Sequence, residues 1–302
     1  MATKEVRLTN ADDVFFGSDE AELIYGLDGS DKIFAGGGDD WIFSNDEASF
    51  GKWVDGLTTD PRSFIDGGSG NDRIDSYALH ASIAIGGDGN DNVFSRSNET
   101  AYGFGGDGDD VLGVSGDQGD AYAYGSQGQD IITVWSHNGA AYASGGLGDD
   151  VISIDRSLSG KLVGGPGDDL LIVTYSEAGT EVRLIGGPGK DVLQGGEAGI
   201  ERYVFRDGDT GVGARADQVL FFGEEDVIDL SQIDADRSTP EHDRFRFIGQ
   251  AEDPGTGEVA YFDTTNGDEA VRMVTFDNGS GNQEIMLRFS SDTDLAASDF
   301  LL

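Results

Sequence analysis

The chain has no cysteine, and only five prolines, three methionines and three histidines among its 302 residues. Without cysteine it forms neither disulfides nor thiolate metal sites. The three histidines, His80, His137 and His242, build no HExxH motif, and no GxSxG or Walker loop occurs. Basic residues are scarce: 19 Lys and Arg face 58 Asp and Glu, a net charge of −39. Nucleic acid and anionic membranes select basic faces, so neither is expected as a partner. Long apolar runs are missing too, and no membrane span is expected. The opening MATKEVRLTNADDVFF has neither a signal-peptide core nor a spanning helix. The expectation is a cytosolic chain, or one exported by a route that reads another signal.

What is plentiful is glycine, 48 residues of it, at fixed offsets from aspartate. A nine-residue pattern, G-G-x-G-x-D-x-hydrophobic-x, recurs over the first two-thirds of the chain. Clear copies are GGSGNDRID at 67, GGDGNDNVF at 86, GGDGDDVLG at 105, GGLGDDVIS at 145 and GGPGDDLLI at 164. Looser copies start at 26, 35, 125 and 186, and two degenerate units at 8 and 17 keep only Asp13 and Glu22. Terminal repeats are expected to be atypical, because they end a stack.

From 67 onward the loops start at 67, 86, 105, 125, 145, 164 and 186, so the steps are 19 to 22 residues. Such a step is one full coil of a solenoid: two strands, one glycine loop and one ordinary polar turn. The expected fold is all-β, a parallel β-roll or β-solenoid with its metal loops mainly along one edge. Strand parity agrees with this. Val93, Leu112, Ile132, Ile152, Leu171 and Leu193 fall on the inward side after each loop. Val114, Val134, Ile154 and Val173 follow two residues on. Ala84, Gly103, Ala123, Ala143, Leu162 and Leu184 face them from the returning strand. The domain reading is a roll over 1–201, with an insertion at 44–66 carrying Phe50, Trp53 and Phe64. After it comes a β cap over 202–302 in which RFRFIG, GEVAYF, AVRMVTF and QEIMLRF read as strands.

Stacked coils lie about 4.8 Å apart, which sets carboxylates at the sixth place of successive loops about that far from each other. A Ca²⁺–oxygen bond is about 2.4 Å, so one ion fits between two of them. Hard oxygen donors without histidine or cysteine favour Ca²⁺ over Zn²⁺ or Cu²⁺. Without a cation, neighbouring charges at that distance repel by about 3 to 4 kcal/mol at an effective dielectric of 20. Summed along Asp72, Asp91, Asp110, Asp130, Asp150, Asp169 and Asp191, the repulsion competes with the stability of a small domain. The expectation is a chain that folds when calcium binds.

These repeats resemble those of the repeats-in-toxin (RTX) family of secreted calcium-binding proteins. The runs GEEDVIDLSQIDAD at 223–236, FRFIG at 245–249 and LAASDFLL at 295–302 look like the C-terminal domain of serralysin-type proteases. That resemblance implies a tail that caps the roll and carries an uncleaved signal for the type I secretion machinery, hence a secreted, extracellular protein. It implies several Ca²⁺ ions held by Asp31, Asp40, Asp72, Asp91, Asp110, Asp130, Asp150, Asp169 and Asp191. Further donors are expected at the first, third and fifth loop places: Gly86, Asp88 and Asn90; Gly105, Asp107 and Asp109; Gly145, Leu147 and Asp149; Gly164, Pro166 and Asp168. The chain departs from the family in lacking the protease catalytic domain, and in having DNGSGN at 277–282 where a fuller acidic loop is expected.

Two outer surfaces stand out. Tyr102, Tyr122 and Tyr142 fall in register, with Phe104 and Tyr124 beside them, which suits either stacking between coils or a glycan or protein partner. Val111, Ile131, Val151, Leu170 and Val192 form an apolar stripe on the other sheet. No catalytic motif is present, so the expected function is non-enzymatic calcium binding in support of an extracellular or cell-surface binding role. The alternatives are a polysaccharide-binding module and a carbohydrate-active β-solenoid enzyme.

Overall fold

A computed structural model describes residues 4–44, 62–196, 198–266, 269–289 and 294–302. Most of the 44–66 insertion, including Phe50 and Trp53, lies outside the described residues. The chain divides into two units, Met1–Ser159 and Gly160–Leu302. Among the described residues all regular structure is strand apart from short 3-10 turns, and the protein is a parallel β-solenoid. Among the described residues no helix is long and apolar enough to cross a membrane.

In the first unit the chain alternates between two parallel sheets. One stacks Lys4–Arg7, Glu22–Tyr25, Trp41–Phe43, Arg73–Ala78, Asn92–Ser97, Val111–Gly116, Ile131–Ser136 and Val151–Asp155. The other stacks Val14–Phe16, Lys32–Gly37, Arg62–Ser69, Ala81–Asp88, Thr100–Asp107, Ala121–Gln127 and Ala140–Leu147. The one-coil step is visible in the pairing, where Val93 lies beside Leu112, Leu112 beside Ile132 and Ile132 beside Ile152. Period-two alternation turns that column inward, and it is fully buried with Ile42 and Ile74. The facing column runs Ile33, Ile65, Ala84, Gly103, Ala123 and Ala143. Bulk opposite smallness sets the thickness of the roll: a Cβ on Gly103 would stand 2.5 Å from Val114 Cγ2. The parity reading of the sequence therefore holds throughout.

A second inward column changes chemistry along the stack. It runs Ser76, Ser95, Val114, Val134 and Ile154, and the column opposite runs Ser63, Ser82, Ala101, Ala121 and Ala141. The four serines hydrogen-bond one another at 2.8–2.9 Å in the core. In the next coils the same places hold alanine and valine.

In the second unit the parallel winding continues past residue 201. Leu171, Leu193, Val219 and Leu287 align in one sheet, and Leu184, Tyr203, Ile228 and Phe300 in the other. The terminal strand Phe300–Leu301 pairs in parallel with Val227–Asp229. The segments Glu258–Asn266, Glu269–Asp277 and Asn282–Phe289 form an antiparallel meander, with Arg246–Gln250 parallel to the first of them. The four strands expected from sequence all form. DNGSGN makes the second hairpin turn, where Asp277 Oδ1 accepts the N–H groups of Gly279 and Gly281.

Candidate metal centre

Each glycine loop ends in an aspartate whose carboxylate reaches the preceding coil. Asp91 Oδ1 accepts the N–H of Asp72, Asp110 that of Asp91, Asp130 that of Asp110 and Asp150 that of Asp130, all at 2.8–2.9 Å. Asp72 does the same for Asp40, and Asp40 for Glu22, at 2.7 Å. In the second unit Asp191 accepts from Asp169 at 2.9 Å. These aspartates are at most 2% exposed. One oxygen of each thus holds the rungs in register. The other, Oδ2, is buried without a hydrogen bond in Asp31, Asp40, Asp72, Asp91, Asp110, Asp130 and Asp191. A carboxylate oxygen left so is costly unless a cation completes it.

The first glycine of each loop completes the cradle. A Cβ on Gly86 would collide with Asp91 Oδ2 and come within 2.6 Å of the Gly105 carbonyl. Gly67, Gly105, Gly125 and Gly164 repeat the arrangement, with the next coil's glycine carbonyl 2.6–2.9 Å from the same point. Gly145 is placed likewise against Asp150. Carboxylate and carbonyl oxygens thus converge where only glycine leaves room. The donors are hard oxygens, one carboxylate per coil, which fits Ca²⁺. Among the described residues no three His, Cys, Asp or Glu side chains cluster as a chelating triad. Backbone carbonyls therefore have to supply the balance.

Burial pushes these carboxyls above the usual aspartate range. Asp91, Asp130 and Asp150 rise to about 6, and Asp72 and Asp110 to about 7, with the neighbouring carboxylates adding to the rise. Asp31 and Asp40 also rise to about 6. Asp191 rises to about 8, because Asp217, Asp209 and Asp168 reinforce the burial.

The remaining sequence candidates separate into cradle and rim. Gly86, Gly105, Gly145 and Gly164 are buried beside the aspartates, whereas Asp88, Asn90, Asp107, Asp109, Leu147, Asp149, Pro166 and Asp168 are exposed. Third-place carbonyls accept the N–H of a glycine one coil earlier: Asp88 from Gly70, Asp107 from Gly89 and Leu147 from Gly128. Fifth-place side chains build a second ladder of opposite sense, in which Asn90 Oδ1 accepts from Asp109 N–H and Asp109 Oδ1 from Gln129 N–H. Asp168 Oδ1 accepts from Lys190 N–H. Third-place carbonyls and fifth-place side chains therefore tie the rim of adjacent loops together.

The first coils use both edges of the roll. Asp31 sits in the loop between Glu22–Tyr25 and Lys32–Gly37, on the edge opposite Asp40, and accepts Asp13 N–H at 3.0 Å. Glu22 continues the main row, but there Lys4 Nζ takes the place of a cation at 2.6 Å. Burial alone would raise Glu22; the bonds from Lys4 and Ser18 more than offset this and hold it below the ordinary glutamate range.

Sequence reasoning missed two further carboxylate positions. Asp217 accepts Asp191 N–H at 2.9 Å, and Asp226 accepts Glu201 N–H at 2.8 Å on the opposite edge. Neither loop has the paired glycines. Each keeps the second half of the pattern, aspartate followed two residues later by an inward apolar residue: Asp217 before Val219, and Asp226 before Ile228. That half-pattern was the available signal. Burial and mutual repulsion push Glu201 up, and burial does the same to Asp226, beside the fully buried Tyr203 hydroxyl.

The aromatic ladder stacks in part, since Tyr142 is tilted 40° to Tyr122 at 6.4 Å. Tyr102 and Tyr122 lie 5.0 Å apart at 11°, and Phe104 and Tyr124 5.2 Å apart at 7°. Tyr122 Oη donates to Asp120 at 3.1 Å. On the other sheet Val111, Ile131 and Val151 are exposed side by side.

A parallel solenoid that stacks one buried, cation-ready carboxylate per coil against glycine carbonyls defines a calcium-binding β-roll. The family described as RTX calcium-binding nonapeptide repeat matches in four copies, over residues 10–48, 62–78 and 183–198. The chain carries RTX-type repeats, and Ca²⁺ is the ion such repeats bind. No curated protein matches it.

Proposed function

We propose that this is a secreted RTX protein that folds on calcium outside the cell and serves there as a non-enzymatic binding protein. Its ions are held between rungs by Asp31, Asp40, Asp72, Asp91, Asp110, Asp130, Asp150, Asp169 and Asp191, together with first-place glycine carbonyls. The observation that carries the reading is the row of buried Oδ2 atoms facing those carbonyls. Extracellular sites typically bind Ca²⁺ at about 10⁻⁴ to 10⁻³ M, so the chain stays open in low cytosolic calcium and closes outside. The serralysin-like runs at 223–236 and 295–302 support export by a type I secretion machinery. The histidines support a non-enzymatic role, because each makes its own surface contact: His80 with Glu99, His137 with Arg156 and His242 with the Ser231 carbonyl. Far-ultraviolet circular dichroism during a calcium titration tests the reading. A β signal that appears only with calcium and disappears with chelator is expected; an unchanged signal in chelator would overturn it.

The stacked tyrosines favour one second reading, a polysaccharide-binding face at Tyr102, Tyr122 and Tyr142. Half-buried rings in register offer a sugar their outer edges and hydroxyls. A glycan array probed with the calcium form tests it. Binding that Tyr122→Ala abolishes supports this face, and silence across the array removes it.

A further inference from the structure

Asp217 lies outside every glycine repeat, in the loop that follows Gly208, yet it bears each mark of a rung. It is 1% exposed, and its Oδ1 accepts Asp191 N–H at 2.9 Å. Its Oδ2 is buried without a hydrogen bond, as is that of Asp191, which is 0% exposed. No further carboxylate receives the Asp217 N–H. Thr210 Oγ1 accepts it at 3.0 Å and donates in turn to the Glu284 carbonyl. The row of aspartates thus runs one rung past the last nonapeptide, and a threonine hydroxyl ends it.

We infer that Asp191 and Asp217 hold a divalent cation between them, an additional calcium site built by a sequence with no repeat signature. The two carboxylates sit on adjacent rungs with both Oδ2 atoms buried and without a hydrogen bond, the charge of Asp217 acts on Asp191, and Asp209 and Asp168 add negative potential to both. Asp209 is held in place by the Arg206 N–H at 2.7 Å, so its charge is fixed beside the pair. In the second unit the cation does for Asp217 what Lys4 does for Glu22 in the first.

This inference rests on calcium loading of the repeats, and the experiment separates the two. Native mass spectrometry of the full chain in millimolar calcium counts bound ions. Asp217→Asn keeps an oxygen to accept the Asp191 N–H and removes only the charge. The expected result is one ion fewer than wild type, with the compact charge-state distribution retained. An equal count in both chains overturns the site while leaving the repeats intact; a wild-type chain with no ions overturns the calcium reading itself. Should the variant fail to fold, terbium-soaked crystals of the wild-type chain decide. An anomalous peak beside Asp217 Oδ2 supports the site. Peaks along the repeats with none there overturn it.

Discussion

Asp110 does two opposed things. Its Oδ1 fixes the register of the preceding coil, while its charge repels Asp91 and Asp130 on either side. Asparagine keeps the first role and removes the second. Asp110→Asn should therefore stabilise the calcium-free chain at neutral pH by about 1 to 3 kcal/mol, less than one full repulsion of about 3 to 4 kcal/mol at an effective dielectric of 20, because Asp110, raised to about 7, is only partly ionised there. The same change should weaken calcium binding about tenfold, or about 1.4 kcal/mol. Folding in chelator driven by a stabilising osmolyte and a calcium titration read the two effects; shifts of the same sign would show that the carboxylate is a turn residue and no ligand. Glycine at the second loop place acts through geometry instead. Gly87 has φ +122°, and a Cβ there would collide with the Gly68 carbonyl, which is backbone and cannot move aside. Gly208 also has positive φ, at +81°, but meets nothing within 4 Å. Gly208→Ala should lose about 1 kcal/mol from conformation alone. Gly87→Ala should lose clearly more, as denaturant unfolding in saturating calcium would show.

Elements in this fold are short strands whose inward columns carry the stability. The serine cluster of Ser63, Ser76, Ser82 and Ser95 is the exception within an apolar core. Ser82→Ala removes the hydroxyl that joins Ser76 to Ser95, leaves Ser76 bonded to Ser63 and Ser95 to the Ser82 carbonyl, and should destabilise the calcium form by about 1 kcal/mol. Replacing all four with the residues of the adjoining coils, Ser63 and Ser82 by alanine and Ser76 and Ser95 by valine, removes every hydroxyl at once. That quadruple variant should recover most of the loss, since apolar pairs of fitting shape replace a complete network. Thermal unfolding of both variants checks the pair of outcomes; a quadruple change that destabilises further would show that the hydroxyls do more than satisfy one another. At this scale the sequence was largely legible. A step of 19 to 20 residues and a period of two determine which side chain points inward, so Leu112, Ile132 and Ala123 could be placed without coordinates. The continuation past residue 201 was hidden, because 26 residues separate Asp191 from Asp217 and no glycine pair marks the loop. Thr210 was equally hidden: its part in ending the row depends on Glu284, 74 residues away. The double use of each carboxylate, one oxygen for register and one for the ion, is visible only once the coils are stacked.

For the whole molecule, a net charge of −39 and a buried row of raised carboxyls make calcium and protons competitors. The ordinary aspartate value is 3.8, and in the folded chain the row is raised to about 6 for Asp91, Asp130 and Asp150, about 7 for Asp72, Asp110 and Asp217 and about 8 for Asp191. Between those limits the folded chain without calcium holds more protons than the unfolded one. Its stability therefore falls as pH rises. The protonic contribution is complete below about pH 4, declines from there, and is gone above about pH 8. Calcium reverses the slope, because the ion binds ionised carboxylates and must displace those protons; in millimolar calcium stability should rise from about pH 5 to 7. In chelator a melting transition should be present in mild acid and lost toward neutrality, so the two stability curves should cross in weakly acidic solution. Differential scanning calorimetry from pH 4.5 to 8, with and without calcium, measures both slopes. Parallel curves would mean that the row neither gathers protons nor yields them to the ion. A crossing would establish that one set of buried oxygens serves both, and that the chain closes in a neutral medium only where calcium is plentiful.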